Sequence, residues 1–368
     1  MPFSAMLLVA IMAAAVVSGQ ALVPLLWQVK AAGAIGAPVF SADGALTLFT
    51  GSNQLWAVSS TNGSVVYQLP GTGSSLSAPG SSRDGRYVYL TSNDASVMAV
   101  RASDGFQIWT SWNIMPMTWD APTVSGDVLV VLTGDGGATG LHRHTGAVLW
   151  HTKKGLFGPA TTVAATASRM FLASRKASLT ALSIRTGQIV WRIPLQTLFS
   201  PLVGDGGASV FQLQFLSDGD GPYANLSKIN AATGAFIWNT TTYDYSFASP
   251  ALGAQGVVIW PTWYGRELVT TTMTGWLSNG SVAFSSSFDF TSTPKYTATH
   301  SQNYVFGSYG SVLGGQVVNQ TGELYFNQTW YATLPTGATS DHAPVIHEAT
   351  GLLSTRDATG AMYGLRLP

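Results

Sequence analysis

Cysteine is absent from the 368 residues of this chain. That excludes disulfides, thiolate zinc sites, thiol nucleophiles and a lipidated N-terminal cysteine. Charge is nearly as scarce: Asp, Glu, Lys and Arg make up 9% of the chain, against about 25% in an average soluble protein. The 17 basic and 17 acidic residues cancel. That overall neutrality argues against nucleic acid or an anionic membrane surface as a partner, since both call for a clustered basic patch. A sustained helical period is also missing after residue 20, so the fold class it implies is all-β.

The first 20 residues carry an apolar run from Met6 to Val17, then Ser18 and Gly19. We read residues 1–20 as a secretory signal peptide, although Lys and Arg are missing ahead of the run; cleavage near Gly19 or Ala21 fits. A retained anchor is the alternative, but the run is short beside the roughly 20 residues of a membrane span. The expected location is therefore secreted or in the secretory-pathway lumen, with no membrane span after cleavage. Six of the eleven asparagines stand in N-x-S/T sequons: Asn62, Asn225, Asn239, Asn279, Asn319 and Asn327. They are expected to carry glycans, which would also keep a weakly charged protein soluble.

What the chain has in abundance is repetition. A glycine followed four residues later by a large aromatic recurs as Gly63 and Tyr67, Gly105 and Trp109, Gly146 and Trp150, Gly187 and Trp191, Gly234 and Trp238, Gly280 and Phe284, and Gly322 and Phe326. A second marker, proline after a small residue, recurs at Pro38, Pro79, Pro122, Pro159, Pro201, Pro250, Pro294 and Pro344. That spacing suits the four short strands of one propeller blade. Proline opens an inner strand A, apolar stretches such as Val128 to Leu132 form strand B, and the glycine turns strand C into strand D. The last repeat lacks a fourth strand, while Leu25 to Val29, with Trp27, stands spare before the first proline. Pairing the two would close an eight-bladed β-propeller and remove its sheet edges. Residues 22–368 are thus expected to form one domain.

Strings such as ASLTALSIRTGQIVW and PYANLSKINAATGAFIW resemble the pyrroloquinoline quinone (PQQ) repeat, roughly L-x-A-L-x-x-x-T-G-x-x-x-W. The resemblance covers essentially residues 22 to 368 and implies the eight-bladed, quinoprotein alcohol dehydrogenase-like propeller, in which the repeat tryptophans dock between blades. Its dehydrogenases bind PQQ and calcium beside an adjacent-cysteine disulfide, with carboxylate and amide metal ligands and a catalytic aspartate. Its non-enzymatic members resemble the bacterial outer-membrane assembly scaffold lipoprotein. This chain departs from both in having no cysteine.

Topology puts the D to A and B to C loops on one face, and those loops are rich in aromatics. Trp112, Trp119, Trp263, Tyr264 and Trp330 are the candidate ligand-binding residues, an apolar floor for a protein, peptide or glycan. No catalytic or metal residue is assigned. Asp94, Asp135, Arg356 and Asp357 occupy equivalent B to C loops, where turn chemistry is the simpler role. Asp218 and Asp220 have calcium-like spacing without a closing glutamate. Arg175, Lys176, Arg266 and Glu267 suit a solvated rim, and His142 and His144, alternate residues on a C strand, lack a third metal ligand. The expected function is a non-enzymatic binding or scaffolding module, with no cofactor. A PQQ- and calcium-dependent oxidoreductase and a glycan-binding protein are the alternatives.

Overall fold

The computed structural model describes residues 21–31, 35–73, 75–114, 120–153, 155, 161–174, 178–195, 199–218, 221–242, 250–253, 257–263, 271–276, 279–288, 296–300, 303–308, 311–320, 323–335, 344–357 and 359–368. Among them the fold is all-β and propeller-like, with one three-residue 3₁₀ turn at Asp205–Gly207 and otherwise strands. The strands fall into sheets of four, numbered here in chain order. Sheet 1 is Ile35–Phe40, Leu46–Gly51, Gln54–Ser59 and Val65–Pro70. Sheets 2, 3 and 4 repeat that plan and end on the outer strands Gln107–Ser111, Val148–His151 and Ile189–Pro194. Sheets 5, 6 and 7 end on Phe236–Thr242, Val282–Phe288 and Glu323–Thr333.

Sheet 8 comprises Val345–His347, Leu352–Arg356 and Ala361–Arg366, and its fourth member comes from the far end of the chain. That member is β2, Leu25–Lys30, antiparallel to Ala361–Arg366. A two-residue strand before it, β1 (Ala21–Leu22), runs parallel to the outer strand of sheet 7 and makes that sheet five-stranded. Proline stands immediately before the first strand of sheets 2, 3, 5, 6 and 8, at Pro79, Pro122, Pro201, Pro250 and Pro344, where no ladder amide is needed. Pro38 instead lies inside its strand, at a register break between Ile35 and Val39. Pro159 and Pro294 fall outside the described residues.

The core is a set of clusters between consecutive sheets rather than one central mass. Leu48, Leu55 and Ala57 of sheet 1 pack with Val88, Leu90 and Met98 of sheet 2. Phe171 and Leu179 of sheet 4 pack with Val210 and Ile229 of sheet 5. First strands lie side by side from sheet to sheet, and that of sheet 1 also touches sheet 8.

One irregularity recurs in all eight sheets. The pairing of third and outer strand slips by one residue at Val66, Ile108, Leu149, Val190, Ile237, Ala283, Thr329 and Leu26. Each is a β-bulge, and each directly precedes a large aromatic: Tyr67, Trp109, Trp150, Trp191, Trp238, Phe284, Trp330 and Trp27. A bulge adds twist and re-aims the side chain that follows it. At Trp27, Tyr67, Trp109, Trp150, Trp191, Trp238 and Trp330 it turns the aromatic toward the next sheet.

Candidate functional site

The repeat aromatics have to be separated from any binding surface first. Trp27 donates from Nε1 to the Ser60 carbonyl at 2.8 Å, Trp109 to Arg143 at 2.9 Å, Trp150 to Ile184 at 2.8 Å and Trp191 to Ala231 at 3.1 Å. Tyr67 does the same through its hydroxyl, to Ala102 at 2.8 Å. In every case the acceptor lies three residues before the turn glycine of the following sheet. That glycine is the other half of the contact. A Cβ on Gly187 would stand 2.4 Å from the Trp150 ring, and one on Gly234 would stand 2.8 Å from Trp191. Both glycines have positive φ, +69° and +77°, so they satisfy the turn and the close approach together. The sequence marker is thus two halves of two different seams: Gly187 receives Trp150, while Trp191 moves on to Gly234. These rings are architecture.

Trp330 belongs with them, which corrects its assignment to the ligand floor. It is 2% exposed and sits in a cluster with Val23, Leu353, Tyr363 and Leu365. It faces Gly314 across the bulge, as Trp150 faces Gly140 and Trp27 faces Gly364. Phe326, which the glycine spacing favours, pairs with Val317 further out along the hairpin. The missed signal was the small residue on the third strand opposite seven of the eight aromatics, as at Gly140, Gly314 and Gly364; Trp238 alone pairs with a large residue, Lys228.

Of the other floor candidates, Trp112 is 56% exposed just after the outer strand of sheet 2. Trp263 is the last residue of its strand, paired with Thr271. Trp119 and Tyr264 lie outside the described residues. Arg175, Lys176, Asp220, Arg266 and Glu267 do too. Phe199, ahead of a proline, is core, packed with Phe211 and Leu213.

The B to C carboxylates are occupied by their own turns. Asp357 is 2% exposed; its Oδ1 accepts from the Thr359 hydroxyl at 2.6 Å, the Thr359 amide at 2.8 Å and the Ala361 amide at 2.9 Å, and its Oδ2 from the Tyr363 hydroxyl at 2.6 Å. Burial pushes the carboxyl up, but hydrogen bonds from Thr359, Tyr363 and the two amides hold it below the usual carboxylate range. Asp94 is held down in the same way, with burial opposing and Ser96 and Thr72 prevailing. Asp135 accepts from the Thr133 hydroxyl at 2.6 Å.

His142 ends its strand and His144 lies in the turn after it, so the two do not share a strand face. Their rings are 5.8 Å apart, and His144 turns to Arg143 at 3.0 Å. Among the described residues, no three metal-ligating side chains converge.

The opposite face carries a cavity of about 950 Å³, lined by the first turns of sheets 2 to 5. Asp205 at its wall pairs with Lys228 at 2.8 Å, and Lys228 and Ser209 hold the Asp205 carboxyl down. Among the sequons, Asn62 and Asn279 are exposed on C to D turns of that face. Each carboxamide oxygen accepts from the amide and hydroxyl of the sequon serine, at 3.0 and 2.8 Å for Ser64 and at 3.0 and 2.7 Å for Ser281. Asn239 and Asn327 lie in the middle of outer strands. Asn319 lies just before the turn of its hairpin, and Asn225 accepts from Thr241 inside sheet 5.

Comparison with known proteins places this geometry. The family model described as outer membrane protein assembly factor BamB matches residues 24–158 and again 154–275. No curated protein matches the chain. Among solved structures, BamB from Moraxella catarrhalis superposes with a TM-score of 0.63 at 14% identity, over 94% of this chain and 100% of that one. Sqt1 from Saccharomyces cerevisiae gives 0.72 at 12% identity, over 94% and 100%. A quinohemoprotein alcohol dehydrogenase from Pseudomonas putida gives 0.60 at 13% identity, over 95% of this chain and 76% of that one. At such identities the structures speak to fold alone, and the family match adds the repeat: the chain belongs to the PQQ-repeat family of β-propellers.

Proposed function

We propose that this chain is a secreted, N-glycosylated, eight-bladed propeller, closed by β2, that works as a non-enzymatic binding or scaffolding module through the D to A and B to C loop face. The antiparallel pairing of β2 with Ala361–Arg366 supports the closure, and exposed Trp112 supports an aromatic contact on the loop face. The observation that carries the non-enzymatic reading is the state of Asp94, Asp135 and Asp357, whose oxygens accept from their own turns. A carboxylate so committed is a poor base or calcium ligand.

The test is reconstitution of the purified chain with PQQ and Ca²⁺, followed by absorbance and dye-linked alcohol or sugar oxidation. The expected result is neither bound quinone nor turnover; bound quinone with turnover overturns the reading in favour of an oxidoreductase. Trp112 also suits a sugar ring, and binding on a glycan array that Trp112→Ala abolishes would make the ligand a glycan. Secretion and glycosylation are checked by the mass of the native protein before and after an N-glycosidase.

A further inference from the structure

The zero net charge conceals an uneven distribution. Between Arg83 and Arg192 stand 11 of the 17 basic residues but 6 of the 17 acidic ones, leaving 6 basic and 11 acidic residues elsewhere. Sheets 2 to 4 therefore carry +5 and the rest of the chain −5. Sequons divide along the same line: all six lie in sheets 1, 5, 6 and 7, and none lies between Arg83 and Arg192.

The outer strands of these three sheets add a third feature. The bulge leaves two successive residues facing out, Gln107 and Ile108, Val148 and Leu149, and Ile189 and Val190, so each strand exposes apolar side chains on the perimeter, joined in sheet 2 by Phe106 in the turn before the strand. Phe106 is 60% exposed. Similar pairs occur in sheets 1 and 5, at Val65 and Val66 and at Phe236 and Ile237, but those sheets bear the sequons of Asn62, Asn225 and Asn239 and lie outside the basic stretch. Cations flank the apolar edge on both sides. Arg185 is exposed in the turn before Ile189, and Lys153 is exposed just past the outer strand of sheet 3.

We propose that the outer edge of sheets 2 to 4 is a docking surface for an anionic lipid layer, with the bulge side chains entering the headgroup region and Lys153 and Arg185 meeting its phosphates. Isolated apolar side chains among cations suit a lipid surface, where each apolar group gains burial and each cation gains the surface potential. An acidic polysaccharide would reward the cations alone. The sequon asymmetry rests on glycosylation, whereas the charge and the apolar edge stand without it, and the surface is separate from the loop face proposed above.

The experiment is flotation of the full mature chain with phosphatidylcholine vesicles, with and without phosphatidylserine. Flotation is expected only with the anionic vesicles and should fade as salt rises. A triple variant, Ile108→Ser, Leu149→Ser and Val190→Ser, is expected to lose flotation, and so is Lys153→Gln with Arg185→Gln, by about thirtyfold in vesicle affinity. The control Val65→Ser, Val66→Ser and Ile237→Ser is expected to float like the parent. All substituted side chains are exposed, and an unchanged melting temperature confirms that each variant folds. Absence of flotation overturns the proposal, as does equal loss in the control. Retention on heparin without flotation, or a sedimentation shift showing self-association through this edge, overturns it in favour of a polysaccharide or a second copy.

Discussion

At the seam between sheets 3 and 4, Trp150 lies over Gly140, donates to Ile184 and rests on Gly187, and its hairpin closes almost at once, one pair beyond the bulge at Leu141 and Val148. In sheet 7, Trp330 lies over Gly314 in the same way, but the hairpin runs on for six more pairs, to Gln320 and Glu323, and β1 lies alongside. The rings hold equivalent places although the turns do not. What the two rings share is therefore the bulge and the glycine opposite it, and the turn glycine coincides with that register only when the hairpin is short.

This comparison can be broken, starting with the largest effect. Deleting residues 21–30 removes the outer strand of sheet 8 together with Trp27 and Val23, both core residues. The melting temperature is expected to fall by about 10 °C or more by calorimetry, and an unchanged value would show that β2 contributes nothing to closure. Trp330→Ala is expected to cost about 3–5 kcal/mol in denaturant unfolding, and Phe326→Ala clearly less; the reverse order would return the seam to the glycine spacing. Gly187→Ala strains a left-handed turn and drives a methyl into Trp150, for about 2–4 kcal/mol.

Asp357→Asn is expected to cost about 1.5–3 kcal/mol near neutral pH, through charge-assisted hydrogen bonds to Thr359, Ala361 and Tyr363. Because the folded carboxyl sits below its ordinary value, its contribution is complete above about pH 4 and fades as pH falls through the lower folded value. The variant should accordingly show a flatter loss of stability on acidification than the parent, measured by urea unfolding across the acid range. Trp112→Ala, at an exposed ring, should stay within about 0.5 kcal/mol of the parent, which separates a surface tryptophan from a seam tryptophan.

Much of this architecture could be read directly from the residues. Gly63, Gly105, Gly146, Gly187 and Gly234 each obey two constraints, a positive φ and a neighbouring ring, so they recur wherever the hairpin is short. Proline before a first strand recurs because the amide it lacks is not needed there. Trp330 was misread because one lengthened hairpin moved the nearest glycine away from the bulge, and spacing counted from the turn then points to Phe326. His142 and His144 were misread by one turn boundary. The roles of Asp94, Asp135 and Asp357 were legible, since Asp followed by small polar residues seals its own turn. The ligand is not written in any comparable pattern, because a recognition loop has no periodic partner to constrain it.

The bulge also decouples the seam from whatever extends past it. In sheet 7 the strands run on as an outrigger from Gly315 and Gln328, beyond the docked aromatic. Such a propeller can acquire new hairpin tips one sheet at a time, so a foreign peptide grafted between Gln320 and Glu323 should leave the scaffold intact and be displayed at its perimeter.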